Sequence, residues 1–131
     1  MNFTIEHLGL PALDPVALKD WYVKLFEGEM VYTDGATPPA FFVRMPGGVV
    51  LEIYPAGSSL KETRDNGLAG WRHVALRVES VESARALLEK RGVKFTEVIK
   101  PAGGGGRVLY FADPEGNLLH LVDRPADSPL V

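Results

Sequence analysis

The sequence contains no cysteine among its 131 residues. That absence excludes disulfides, thiolate zinc sites and cysteine nucleophiles together, so any metal centre must be built from imidazole and carboxylate. Excess positive charge is missing as well: 14 Lys and Arg stand against 17 Asp and Glu, a formal net charge of −3. The nearest approach to a basic run is Lys90-Arg91, at the end of an expected helix. Nucleic acid is therefore not an expected partner, because phosphate binding needs clustered cations. No apolar stretch approaches the ~20 residues of a membrane helix. The first residues lack the basic start and apolar run of a signal peptide, so a cytoplasmic protein with no membrane partner is expected.

What is present is ordinary in bulk and informative in detail. Hydrophobic residues make up 46% and charged residues 24%, the balance of a globular protein. The length corresponds to one domain, 1–131, with enough chain to bury a core. Asp14-Pro15 is a helix start, an N-cap followed by proline at a position where its missing N–H costs nothing. Leu18, Trp21, Tyr22, Leu25 and Phe26 follow at helical spacing, and Gly28 is expected to close the helix in a left-handed conformation. The same signals recur downstream. Ser80 caps, Val81, Ala84, Leu87 and Leu88 form an apolar face, and Gly92 ends the helix.

Asp14 to Ser80 is an offset of 66 and Gly28 to Gly92 one of 64. A near-constant offset between matched signals marks an internal duplication. Strands are expected around each helix: Phe3–Leu10, Glu29–Thr33, Ala40–Met45 and Val49–Tyr54, then Trp71–Val78, Lys94–Lys100, Arg107–Ala112 and Asn117–Asp123. Turn residues separate them, among them Pro46-Gly47-Gly48, the Gly103–Gly106 run and Asp113-Pro114-Glu115-Gly116-Asn117. Each half thus reads β-α-β-β-β: a first module over 1–54, a connector over 55–70, a second module over 71–123 and a tail over 124–131. Gly103–Gly106 is not a phosphate loop, since no helix follows it. It and the connector are candidate lids.

Side chains alternate faces along a strand, so parity identifies neighbours on one surface. His7 and His73 occupy matched positions in the first strand of each half, again 66 apart. In the last strands, Leu51 and Ile53 take one face and Val50, Glu52 and Tyr54 the other. Likewise Leu119 and Leu121 oppose Leu118, His120 and Val122. Glu52 to His120 is an offset of 68. A single strand histidine is more often a hydrogen-bonded core residue than a ligand. Here, however, all three histidines of the chain, and one carboxylate set between apolar residues, fall on two pairs of repeat-matched positions. His7, Glu52, His73 and His120 are therefore the expected ligands of one divalent metal ion, with Zn, Ni, Co, Mn and Fe all suited to the donor set. Glu52 and His120 are the candidates to exchange a proton with a substrate. Phe42, Arg44, Tyr54, Trp71 and Arg77 are the candidate substrate-lining residues.

The chain carries Glu6-His7-Leu8-Gly9-Leu10, Trp21-Tyr22-Val23-Lys24-Leu25-Phe26-Glu27-Gly28, Val50-Leu51-Glu52-Ile53, His73-Val74-Ala75-Leu76-Arg77-Val78 and the run from Tyr110 to Val122 with its Asp-Pro-acidic-Gly-Asn turn. In these segments it resembles the glyoxalase, bleomycin-resistance and extradiol-dioxygenase superfamily, the vicinal oxygen chelate proteins, over essentially its whole length. The resemblance implies an α+β fold of two βαβββ modules, forming a cup-shaped eight-stranded mixed sheet with the helices on its outer face. It places the metal ligands on the first and last strand of each module. It also implies a homodimer, in some members with modules exchanged between chains.

The last ligand position is Glu in glyoxalases and many relatives and is His120 here, so the two-glutamate arrangement of glyoxalase I is missing. The activity implied is that of a metal-dependent lyase or isomerase, acting on a small-molecule substrate that chelates the cation through adjacent oxygens. An Fe(II)-dependent dioxygenase is the alternative. A non-catalytic ligand-binding or antibiotic-resistance protein is the third reading, disfavoured by the intact ligand set.

Overall fold

Asp14 and Ser80 start the two helices. In the computed structural model, which describes residues 1–59 and 62–130, the Asp14 carboxylate accepts from the backbone N–H of Ala17 at 3.0 Å. The Ser80 hydroxyl accepts from that of Ser83 at 3.2 Å. Each satisfies one of the donors that a helix N-terminus leaves unpaired. Contacts divide the chain into two compact units, Met1–Leu60 and Lys61–Val131.

The first unit runs β1 (His7–Ala12), α1 (Pro15–Phe26), β2 (Glu29–Thr33), β3 (Phe41–Arg44) and β4 (Val50–Pro55). Its four strands form one mixed sheet in the order β1-β4-β3-β2, with β1 parallel to β4 and the other pairs antiparallel. Pro15, Leu18, Tyr22 and Leu25 are the buried stripe of α1. They pack on the sheet face formed by Phe41, Val43, Leu51 and Ile53, all buried. Alternation then turns Phe42, Val50, Glu52 and Tyr54 to the opposite face.

The second unit repeats the plan with β5 (His73–Arg77), α2 (Val81–Lys90), β6 (Lys100–Pro101), β7 (Arg107–Ala112) and β8 (Leu118–Asp123). The sheet order is β5-β8-β7-β6, with β5 parallel to β8. The core here is Val81, Leu88, Val108, Leu109, Phe111, Leu119, Leu121 and Val122. The chain therefore has the expected α+β class and two βαβββ modules, built among the described residues as two four-stranded sheets.

Three local expectations are corrected. The first strand begins at His7, not Phe3: Phe3 and Ile5 are 91% and 82% exposed and have no strand partner among the described residues. Alternating hydrophobicity cannot say whether a neighbouring strand is there to pair. The expected strand Lys94–Lys100 shrinks to Lys100–Pro101. Glu27, with φ +59°, takes the left-handed position after α1. Gly28 is needed for another reason: a Cβ there would lie 2.9 Å from Cγ1 of the fully buried Val43.

The Gly103–Gly106 run is not free to act as a lid, because the tail holds it. Arg124 donates to the carbonyls of Gly103 and Gly105, and the Ser128 hydroxyl donates to that of Gly104 at 2.7 Å. Gly106 has φ +92° and passes so close to the Asp123 carbonyl that a Cβ would overlap it. The connector, expected over 55–70, includes residues 60 and 61, which lie outside the described residues. No helix among the described residues is long and apolar enough to cross a membrane.

Asp123 joins three elements of the second unit. Its carboxylate accepts from the buried N–H of Val81 at 3.1 Å, from the N–H of Arg107 at 3.1 Å and from the Arg107 guanidinium. The same guanidinium also reaches Glu82. Arg107 above all holds the Asp123 carboxyl below its ordinary pKa of 3.8. A depressed folded value means that this stabilisation is fully present above pH ~3.9 and is lost as the pH falls through the folded value. Asp123→Asn should cost about 1–3 kcal/mol at neutral pH. It should also remove part of the acid-induced loss of stability, as read from urea unfolding at a series of pH values. Gly28→Ala should cost about 1–3 kcal/mol by overpacking against Val43, measured the same way at pH 7; an unchanged midpoint would show that the close approach is tolerated.

Candidate metal centre

The parallel pairing of β1 with β4 sets Gly9 opposite Glu52, and the antiparallel pairing of β3 with β4 sets Phe42 on the other side of Glu52. His7 lies one step diagonally away, opposite Val50. Because Gly9 has no side chain, nothing on β1 stands between the two. His7 Nε2 is 3.1 Å from Glu52 Oε2, with 35% and 33% of the two side chains exposed. Phe42 meets the imidazole edge-on, with ring centroids 5.5 Å apart. Tyr54 lies over Gly9: a Cβ there would be 3.5 Å from Tyr54 Cε1.

The second unit reproduces this register. Ala75 stands opposite His120, Tyr110 pairs with His120 from the other side, and His73 lies opposite Leu118. The His73 and His120 ring centroids are 4.7 Å apart, and Tyr110 packs edge-on against His120 at 4.8 Å. The Asp-Pro-acidic-Gly-Asn turn sets the start of β8. The buried Asp113 carboxylate accepts from the N–H groups of Glu115 and Asn117, each at 2.9 Å, and from the Asn117 side chain at 2.8 Å.

His120 is the unusual member. It is 8% exposed, and neither ring nitrogen has a hydrogen-bond partner among the described residues. Buried polar atoms are normally paired, so an orphaned imidazole points to a missing partner. Burial above all, with His73 and Arg124 adding to it, pushes its pKa down to about 4. At neutral pH the ring is uncharged and keeps a lone pair, the state in which histidine binds a metal. The first pair fits a cation as well, because two donors on one Zn-sized ion, each bonded at about 2.0–2.2 Å, stand roughly 3 Å apart.

The structure thus brings the four expected ligands together two by two, His7 with Glu52 and His73 with His120. No group of three or more His, Asp or Glu that could hold a metal is found among the described residues. Of the expected lining residues, Phe42 and Tyr54 are half-buried beside the first pair. Arg44 faces Glu29 at 3.9 Å, Arg77 donates to the Leu130 carbonyl, and Trp71 is 96% exposed. Tyr110 was not among the expected residues. Its signal was available, since Phe42 to Tyr110 is the same offset of 68 that relates Glu52 to His120.

The sequence pattern of the Glyoxalase/Bleomycin resistance protein/Dioxygenase superfamily matches residues 4–121. Among curated proteins none matches. Solved structures with a similar fold include a mutant of the genomically encoded fosfomycin resistance protein FosX from Listeria monocytogenes, complexed with Mn(II) and 1S,2S-dihydroxypropylphosphonic acid. It is 23% identical with a TM-score of 0.74, and the match covers 97% of this chain and 94% of that one. A glyoxalase family protein from Enterococcus faecalis is 22% identical with a TM-score of 0.73, covering 91% of this chain and 96% of that one. A glyoxylase/bleomycin resistance protein/dioxygenase domain from Frankia sp. EAN1pec is 22% identical with a TM-score of 0.70, covering 95% of this chain and all of that one (100%).

If His120 is kept for a metal and not for stability, His120→Leu should leave the metal-free protein as stable as before or raise its stability by roughly 1–2 kcal/mol. The same change should abolish any rise in melting temperature on adding Mn(II) or Zn(II). Thermal unfolding in EDTA and in excess metal reads both effects; a clear loss of stability in EDTA would mean that the ring is already satisfied.

Proposed function

The chain belongs to the glyoxalase/bleomycin resistance protein/dioxygenase superfamily, and on that premise we propose that it is a metal-dependent lyase or isomerase of the glyoxalase type. In this reading His7, Glu52, His73 and His120 would be the ligands of one divalent cation. The observation that carries this reading is the buried His120, with both ring nitrogens unpartnered among the described residues, placed against His73 in the register that sets Glu52 beside His7.

The cation would act as a Lewis acid, stabilising negative charge that develops on a substrate oxygen. A small substrate with two adjacent oxygens suits such a centre, as does the diol held with Mn(II) by the Listeria protein. Glu52 and His120 are the groups that move the proton. Glu52 is one-third exposed and reaches solvent and substrate alike. His120 is neutral at pH 7, and its pKa of about 4 in the metal-free state makes Glu52 the more accessible of the two to a substrate proton. Phe42 and Tyr110 pack edge-on against His7 and His120, with Tyr54 as a further wall beside Glu52. Arg44 and Arg77, candidates for a substrate carboxylate, would have to leave Glu29 and the Leu130 carbonyl to reach one.

The working form is a homodimer. Phe3, Ile5 and Trp71, each more than four-fifths exposed, precede the edge strands β1 and β5. Large apolar side chains beside an open strand edge are an ordinary sign of an interface.

Metal analysis of the purified protein should find one divalent ion per chain, and Glu52→Ala or His73→Ala, each removing a donor suited to such an ion, should clearly weaken binding. Turnover is then sought on 2-oxoaldehyde, epoxide and catechol substrates; oxygen uptake that requires Fe(II) would move the assignment to a dioxygenase. Mixing and refolding a His7→Ala/Glu52→Ala chain with a His73→Ala/His120→Ala chain tests module exchange. Recovery of one tight site per mixed dimer means that each site is shared between subunits, and no recovery means that it is not. Full metal content and activity in Glu52→Ala would overturn the ligand assignment.

A further inference from the structure

His7 and His73 are repeat-matched, but their outer ring nitrogens are held by different means. In the first unit, His7 Nδ1 faces the carboxylate of the preceding residue, Glu6, at 3.2 Å. The matched residue before His73 is Arg72, whose guanidinium has no acceptor to offer; its Nε donates to the Trp71 carbonyl at 2.8 Å. The second unit fills the gap from the connector. Asn66 Oδ1 lies 2.8 Å from His73 Nδ1. The turn that presents Asn66 is itself bonded: Asp65 donates its N–H to the Glu62 carbonyl at 3.0 Å, and its carboxylate accepts from the N–H of Gly67 at 2.9 Å.

We propose that Asn66 is a positioning residue of the metal centre. Its side-chain carbonyl accepts the Nδ1 proton of His73 and so holds the ring in the tautomer that leaves the Nε2 lone pair free for the cation. The inference rests on the reading of His73 as a ligand and adds to it a residue outside both sheets. A neutral imidazole has one N–H and one lone pair, and the bond made at one nitrogen decides the role of the other. An acceptor at Nδ1 is the usual partner of a metal-bound histidine, and its loss typically weakens metal affinity 10–100-fold. The Asn66–His73 bond is exposed, so water can replace part of it, and the effect belongs at the lower end of that range. The connector is thereby tied to metal binding, which neither its composition nor its place between the modules would suggest.

The test uses two measurements on the whole protein. Long-range ¹H–¹⁵N spectra of the metal-free protein near pH 8 report the tautomer of each histidine. His73 should carry its proton on Nδ1 in the wild type and in Asn66→Asp, which keeps an acceptor of similar reach, and should shift toward the Nε2 form in Asn66→Ala. Binding isotherms with Mn(II) or Zn(II) should show Asn66→Ala weaker by about tenfold and Asn66→Asp close to the wild type. If the wild-type ring is protonated on Nε2 and yet binds metal, or if Asn66→Ala changes neither tautomer nor affinity, the role of Asn66 is overturned while the metal reading stands. If His73 shows the Nδ1–H form but no cation binds, the metal reading fails and the role of Asn66 fails with it.

Discussion

A parallel strand pair cannot be closed by a tight turn, so the chain between its members must cross over through other structure. In each half the pair in question is the first strand with the last, β1 with β4 and β5 with β8. The helix and two antiparallel strands lie in the intervening chain. Everything else follows from that pairing. It places the two ends of each module side by side, and with them the histidine near one end and the donor near the other. The helix covers one face of the sheet, and the period of two sends the donors to the other. Packing and chemistry are thereby assigned to opposite faces, and neither need compromise the other.

The two donor pairs are alike in register and unlike in environment. His7 and Glu52 face each other with about a third of each side chain in solvent, so the carboxylate stays hydrated and has a nearby imidazole. His120 stands at the matched position but is buried. A carboxylate there would be costly in the absence of a cation, since burying an unpaired charge is far more expensive than burying a neutral polar ring. Histidine in place of the family's more frequent glutamate is thus consistent with the burial of this position. It replaces an anionic donor by a neutral one, which changes the net charge of the proposed centre and removes one carboxylate base.

Much of this was legible in the residues. The capping signals at Asp14 and Ser80, the offset of 66 and the alternation around Glu52 and His120 are local statements, and local statements survive folding when packing agrees with them. The failures share one cause. Phe3 and Ile5 alternate like a strand but have no neighbour to pair with. Gly28 reads as a left-handed helix end, whereas its contact with Val43 is what requires it. The glycine run reads as mobile because nothing in it shows that Arg124 and Ser128 will hold its carbonyls. Asn66 carries no motif at all, and its bond to His73 depends on how a connector folds back on its own module.

The sequence by itself determined the duplication, the α+β class and the repeat-matched positions of His7, Glu52, His73 and His120, because helix periodicity, strand alternation and repeat offsets are properties of the chain read in order. Only the tertiary structure decided which side chains meet, that His7 finds Glu52 while His73 finds His120, and that the last of them is buried with no hydrogen-bond partner among the described residues. Those facts depend on strand register and on solvent exclusion, and both are set by contacts between residues that the chain keeps dozens of positions apart.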